Sequence, residues 1–184
     1  MKQLGILLID MQDYFINQNL PKEIEQLISA QKRLLNFASE NQIPIFALEY
    51  QSVKEKYGIT SKELKEELQR NKVYFISKYE DNGFLSRDSI IMGDISGKDH
   101  QNLELIKALQ REQIKNLILT GINKDACVLK TAEGAKERKY EIFTSEELMN
   151  RRKMEVEWFS RYSNHHQTLN ELLGNLNNSI NPNL

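Results

Sequence analysis

Cysteine is nearly absent from this chain: Cys127 is the one thiol in 184 residues. That excludes an intramolecular disulfide, and a redox-sensing thiol would have no resolving partner in the same chain. Proline and glycine are also scarce, at three and eight residues. With no internal repeat and no low-complexity tract, extensive disorder is excluded. Charge of one sign is lacking too, since 25 Lys and Arg face 26 Asp and Glu for a formal net charge of -1. Nothing in that balance attracts nucleic acid or an acidic membrane. Long hydrophobic runs are missing. The apolar stretch 4–9 is too short for a signal-peptide core or a membrane span. The expectation is a cytoplasmic protein with one domain over residues 1–176 and a frayed tail over 177–184.

What is present is a core-forming composition, 40% hydrophobic and 28% charged, in a repeating pattern. Residues 4–9 (LGILLI) are continuously apolar, as in a strand covered on both faces. Pro21 opens a helical pattern through Ile24, Leu27, Ile28, Leu34, Leu35 and Ala38. Strands are expected at 43–48, 72–77, 114–121 and 140–143, with a short helix capped by Thr60 or Ser61 between the second and third. Helices are expected over 99–113 and from Asp125 to Arg138. Residues 79–98 read as a long loop, or as a loop with a small element inside, and loops of that length in compact domains usually serve function. Ser145 starts a final stretch read as one or two helices, in which Trp158 and Phe159 are expected in the core or at a subunit interface. Strands alternating with helices imply a parallel α/β sheet whose ligands bind at the carboxyl ends of the strands.

Three chemically capable residues fall at that edge. Asp10 ends the first strand, Lys78 the third, and Cys127 follows the fourth in the opening turn of a helix. Each has a plainer reading: a turn aspartate, a solvated lysine, a small buried hydrophobe. Together they compose an acyl-transfer site. The carboxylate can accept the thiol proton, the ammonium and the helix dipole favour thiolate, and backbone N–H groups between Gly121 and Cys127 can face an oxyanion. On that reading the thiol titrates well below a free cysteine.

At these residues the sequence resembles the isochorismatase-like cysteine hydrolases, which include nicotinamidases and N-carbamoylsarcosine amidase. Ile9-Asp10-Met11-Gln12-Asp13-Tyr14-Phe15 matches that family's opening segment. Lys78 followed by Gly83-Phe84 matches the lysine segment, and Gly121-Ile122-Asn123-Lys124-Asp125-Ala126-Cys127-Val128 with Thr131-Ala132 matches the nucleophile segment. The resemblance implies a three-layer α/β/α, Rossmann-like parallel sheet with strand order 3-2-1-4-5. No convincing counterpart of the family's closing strand follows Phe143, so five strands are expected, or six if the tail holds one. It also implies Asp10 as general base, Lys78 as its charge partner and Cys127 as nucleophile. A cis peptide falls between Ile122 and Asn123, the N–H groups of Asn123 and Cys127 are the oxyanion donors, and assembly is as a homodimer or homotetramer.

Departures from the family pattern narrow the substrate. Nicotinamidases hold a metal through an Asp-x-His pair after the second strand. Here Glu49-Tyr50-Gln51 stands there without histidine, His100 is isolated, and the adjacent His165 and His166 lack ligand spacing. No metal and no other cofactor is expected. Retention of Cys127 favours hydrolysis of a C–N bond in a small amide or carbamoyl compound, with Glu49, Tyr50, Tyr79 and Phe84 as pocket liners by position. Lys124 replaces the family's small residue. With the lengthened 79–98 loop, it keeps a second reading alive, a ligand- or partner-binding protein that has lost hydrolysis. A dinucleotide-binding oxidoreductase would need a glycine-rich first turn, and an aspartyl-phosphate phosphatase a second aspartate where Gln12 stands.

Overall fold

The opening apolar run becomes β1 (Leu4–Ile9), with all six residues buried. In the computed structural model, which describes residues 3–51, 57–86, 100–150, 161 and 163–180, β1 lies inside a six-stranded sheet. In chain order the elements are β1, α1 (Asp13–Ile16), α2 (Pro21–Glu40), β2 (Ile45–Tyr50), α3 (Lys65–Gln69), β3 (Val73–Lys78), β4 (Leu85–Ser86) and β5 (His100–Gln101). There follow α4 (Leu103–Arg111), β6 (Asn116–Gly121), α5 (Leu129–Glu137), β7 (Glu141–Ser145), β8 (Asn164–His166) and α6 (Leu169–Ile180). The sheet runs β3-β2-β1-β6-β7-β8 and every pairing is parallel. Counting its own strands alone, the order is 3-2-1-4-5-6.

Strand alternation sends the two sets of β1 side chains into separate cores. Leu4, Ile6 and Leu8 pack with Ile24, Leu27, Leu34 and Leu35 of α2 and with Leu172 and Leu176 of α6. Leu7 and Ile9 pack with Leu105 and Leu109 of α4 and with Leu129, Ala132 and Ala135 of α5. Helices therefore cover both faces, the three-layer arrangement that a continuously apolar strand requires. The chain winds outward from β1 through β2 to β3, then returns to place β6 against the other side of β1. That reversal opens a crevice at the carboxyl ends of β1 and β6.

Several expectations are corrected, and of the two strand counts left open the sheet takes six: β8 pairs Asn164, His165 and His166 with Phe143, Thr144 and Ser145. It escapes detection because a three-residue edge strand needs no apolar run, only backbone pairing on one side. The stretch from Ser145 is not helical at its start. Ser145 ends β7, Glu146–Leu148 form one 3-10 turn, and among the described residues beyond it a helix runs from Leu169. Trp158 and Phe159 lie outside the described residues, as does 87–99 of the long loop, whose flanks pair as the antiparallel β4–β5 ladder. Residues 177–180, read as frayed, continue α6. Strand two starts at Ile45 rather than 43, after Pro44, which has no N–H to give a ladder.

Candidate active site

Asp10 leaves β1 in a left-handed conformation, φ 53°, and is 1% exposed. Beside it, β6 ends on Gly121 in register with Ile9. At Gly121, φ is 142° and a Cβ would lie 2.1 Å from the Ile9 carbonyl oxygen, so only glycine fits. The Ile122–Asn123 peptide that follows is cis. The chain then makes one wide π-helical turn, Lys124–Val128, closed by Val128 N–H donating to the Asn123 carbonyl at 3.1 Å, before α5 begins. The expected regular helix start is thus a wider turn, with Cys127 in it.

Lys78 is the last residue of β3, in register with Tyr50 of β2, and fully buried. Its Nζ lies 2.8 Å from Asp10 Oδ2, donates to the Glu80 carbonyl at 3.0 Å, and stands 4.7 Å from the centre of the Tyr50 ring. The Cys127 thiol and the Asp10 carboxylate are close enough to shift one another's proton affinity, while the thiol's hydrogen bond goes to Asp81 Oδ1 at 3.6 Å. Three residues separated by up to 117 positions therefore meet at the β1–β6 crevice.

Electrostatics there run against one expectation. Burial raises the Asp10 carboxyl above its ordinary value, and the opposing pull of Lys78 does not cancel it. Burial works against the Lys78 ammonium, yet the Asp10 carboxylate, with Cys127 and Asp81, holds its pKa above the usual lysine range. Burial and then the Asp10 charge push the Cys127 thiol upward, against the weaker pull of Lys78. The resting sulfur is a thiol, not a low-pKa thiolate. A helix start and one ammonium cannot outweigh dehydration beside a carboxylate.

The expected pocket liners divide. Tyr50 is half-buried over Lys78, and Phe15 and Tyr57 pack edge-on against it at 6.0 and 5.3 Å. Tyr79 is half-buried beside Lys78. Phe84 is a core residue, fully buried, stacked on Tyr140 at 5.7 Å with the Arg138 guanidinium over its ring. Glu49 alternates with Tyr50 along β2 and takes the other face of the strand. Its Oε1 accepts from Thr60 N–H at 2.7 Å and Thr60 Oγ1 at 3.0 Å, in the wall of a cavity of about 780 Å³ that Asp10, Lys78 and Cys127 do not line.

Lys124 is explained by a partner 22 positions away. Its side chain is 3% exposed and its Nζ lies 2.8 Å from both Glu146 carboxylate oxygens. His165 Nε2 stands 2.9 Å from Glu146 Oε1. Lys124 borders a hollow of about 860 Å³ shared with α2 residues, whereas Cys127 packs in the core beneath α4 and α5. His165 and His166 lie on a strand, so they face opposite sides of the sheet, not different helix faces.

Other site residues escaped the sequence reading. Asn150 accepts from Lys124 N–H at 2.9 Å and donates to Asn123 Oδ1 at 3.3 Å, pinning the turn before the thiol. Gln12 clamps Tyr50 through its N–H and carbonyl, at 2.7 and 3.1 Å. Asp81 Oδ1 lies 3.6 Å from Cys127 Sγ. Its place between Lys78 and Gly83 was the available signal, but a loop residue gives no periodicity to read.

A parallel α/β sheet with its crevice between the first and fourth strands defines the class. An isochorismatase-domain model matches residues 5–157, and the chain belongs to that family. Among solved structures, a nicotinamidase from Staphylococcus aureus superposes with a TM-score of 0.69 at 18% identity, covering 92% of this chain and 100% of that one. An isochorismatase-like hydrolase from Alkaliphilus metalliredigens gives 0.69 at 18%, covering 94% and 98%. The N-carbamoylsarcosine amidase from Thermoplasma acidophilum gives 0.61 at 17%, covering 89% and 95%. No curated protein matches the sequence.

The donor set at the end of β2 does not fit a metal. Its carboxylate, Glu49, is engaged by Thr60, Tyr50 and Gln51 follow it, and no group of three or more His, Cys, Asp or Glu converges among the described residues.

Proposed function

We propose that the protein is a metal-independent cysteine hydrolase of small-molecule C–N bonds, amide or carbamoyl, working through Asp10, Lys78 and Cys127. The observation that carries this is the buried Lys78–Asp10 ion pair at 2.8 Å, electrostatically coupled to the chain's single thiol. Cys127 Sγ attacks the carbonyl carbon as its proton passes to Asp10, while Lys78 steadies the neighbouring charges. The N–H groups of Asn123 and Cys127 receive the oxyanion. Collapse expels the amine, which takes the proton from Asp10 and leaves a thioester on Cys127. Water then attacks the thioester carbonyl and gives a proton to Asp10. The sulfur leaves, recovers that proton, and a carboxylic acid is released. A cytoplasmic homodimer or homotetramer accompanies this reading.

The test is ammonia release from a panel of small amides by the wild type, Cys127→Ala and Asp10→Asn. Turnover abolished by either change supports the proposal. A second reading, a family member that binds without hydrolysing, draws on Cys127 being 6% exposed with its thiol pKa raised. Tight binding of an amide, with no ammonia released and no thioester detectable by mass spectrometry, would put it ahead.

A further inference from the structure

Around the thiol, charge is unevenly distributed. Among the described residues Lys78 is the cation beside it, fully buried and directed to Asp10, the Glu80 carbonyl and the Tyr50 ring. Asp81 is placed differently. It is exposed, while its Oδ1 stands 3.6 Å from the nearly buried Cys127 Sγ. Its carboxylate thus occupies the solvent end of the nucleophile.

The position is built rather than incidental. Thr131 on α5, one turn beyond Cys127, donates from Oγ1 to the Asp81 carbonyl at 3.3 Å and accepts from Gly83 N–H at 3.0 Å. A Cβ on Gly83 would meet Leu48 Cδ1 at 2.5 Å, so the loop sits hard against the sheet. The helix that presents the sulfur therefore also fixes Asp81. Tyr14, Phe15 and Tyr57 gather round Tyr50, whose hydroxyl pKa is raised first by burial and then, against the pull of Lys78, by the charges of Asp81 and Glu80. Carboxylates beside aromatic rings suit an organic cation.

We infer that Asp81 is a specificity-determining residue and that the substrates are small amides bearing an ammonium or similar cation a few bonds from the scissile carbonyl. A carbonyl carbon bonded to Sγ places such a substituent within reach of the Asp81 carboxylate. The same carboxylate repels an anionic substituent. This rests on the hydrolase proposal for the bond cleaved, but not for the charge selected.

Two measurements separate those dependencies. The first compares kcat/KM for glycinamide, propionamide and malonamate, which are cationic, neutral and anionic at pH 7. The second compares rates of Cys127 modification by cationic trimethylammonium-ethyl and anionic sulfonatoethyl methanethiosulfonates, which need no hydrolysis. Each forms a mixed disulfide with the sulfur and releases methanesulfinate. The expected cation preference is on the order of tenfold in both assays. It collapses in Asp81→Asn, and in the wild type it shrinks as salt is raised. Equal rates for the two reagents, or a preference that survives Asp81→Asn, would overturn the inference. If no amide is turned over while the thiol assay retains its Asp81-dependent preference, the hydrolase proposal fails and the charge assignment stands.

Discussion

Two buried lysines lie at or beside the Cys127 turn, each 2.8 Å from a carboxylate, and the two pairs behave oppositely. Lys78 faces Asp10, whose carboxyl burial raises above its ordinary value. Lys124 faces Glu146, whose carboxyl is held down at about 2 by hydrogen bonds from His165 and Lys124. The geometry of the ion pair is similar, so the number of donors and the depth of burial make the difference. Asp10 is 1% exposed, whereas the Glu146 side chain retains 27%. A carboxylate short of donors in a dry site can accept a proton; one bracketed by two basic side chains and partly hydrated stays ionised. The first pair is suited to chemistry and the second to holding the turn in place.

The comparison breaks most visibly in activity. Asp10→Asn should lower kcat/KM for amide hydrolysis by about 10² to 10⁴, the usual worth of a positioned general base. Glu146→Gln, assayed alongside, should lose less than about tenfold, because it acts only through the position of the turn. Equal losses would erase the distinction between the pairs.

Stability gives the next effect. Lys78→Met strands Asp10 in the core and should cost about 3 kcal/mol or more, read from urea unfolding. Lys124→Met should cost about 1 kcal/mol, since Glu146 keeps its water and His165.

The pH dependences should run in opposite directions. Glu146 has a depressed folded value, so its contribution is present above its ordinary 4.5 and is lost as pH falls toward about 2. The difference in urea midpoint between wild type and Glu146→Gln should vanish across that window. Asp10 has a raised folded value, so the fold favours its protonated form, and that contribution is lost as pH rises through the raised value. With the ionised form as the proposed base, the acid limb of kcat/KM should fall above the ordinary 3.8.

Much of this was legible in the sequence, for a physical reason. β1, β3 and β6 are short apolar runs, and the residues terminating them, Asp10, Lys78 and Gly121, are placed by the sheet itself. The twenty-residue α2 follows from helical spacing. What stayed hidden depends on partners far away in the chain. β8 is three polar residues defined by pairing with β7. Lys124 could not be interpreted without Glu146, nor Phe84 without Tyr140. The sign of the thiol shift also stayed hidden, because the motif supplies the helix start and the lysine while dehydration comes from packing.

That sign is where the account is most exposed. The rate of Cys127 alkylation by iodoacetamide against pH, in wild type and Asp10→Asn, measures it directly. The account predicts a wild-type midpoint above the ordinary thiol value of 9.0, and a downward shift once the Asp10 charge is removed and Lys78 faces the sulfur alone. A wild-type midpoint at or below the ordinary value, or one that Asp10→Asn leaves unmoved, would contradict it.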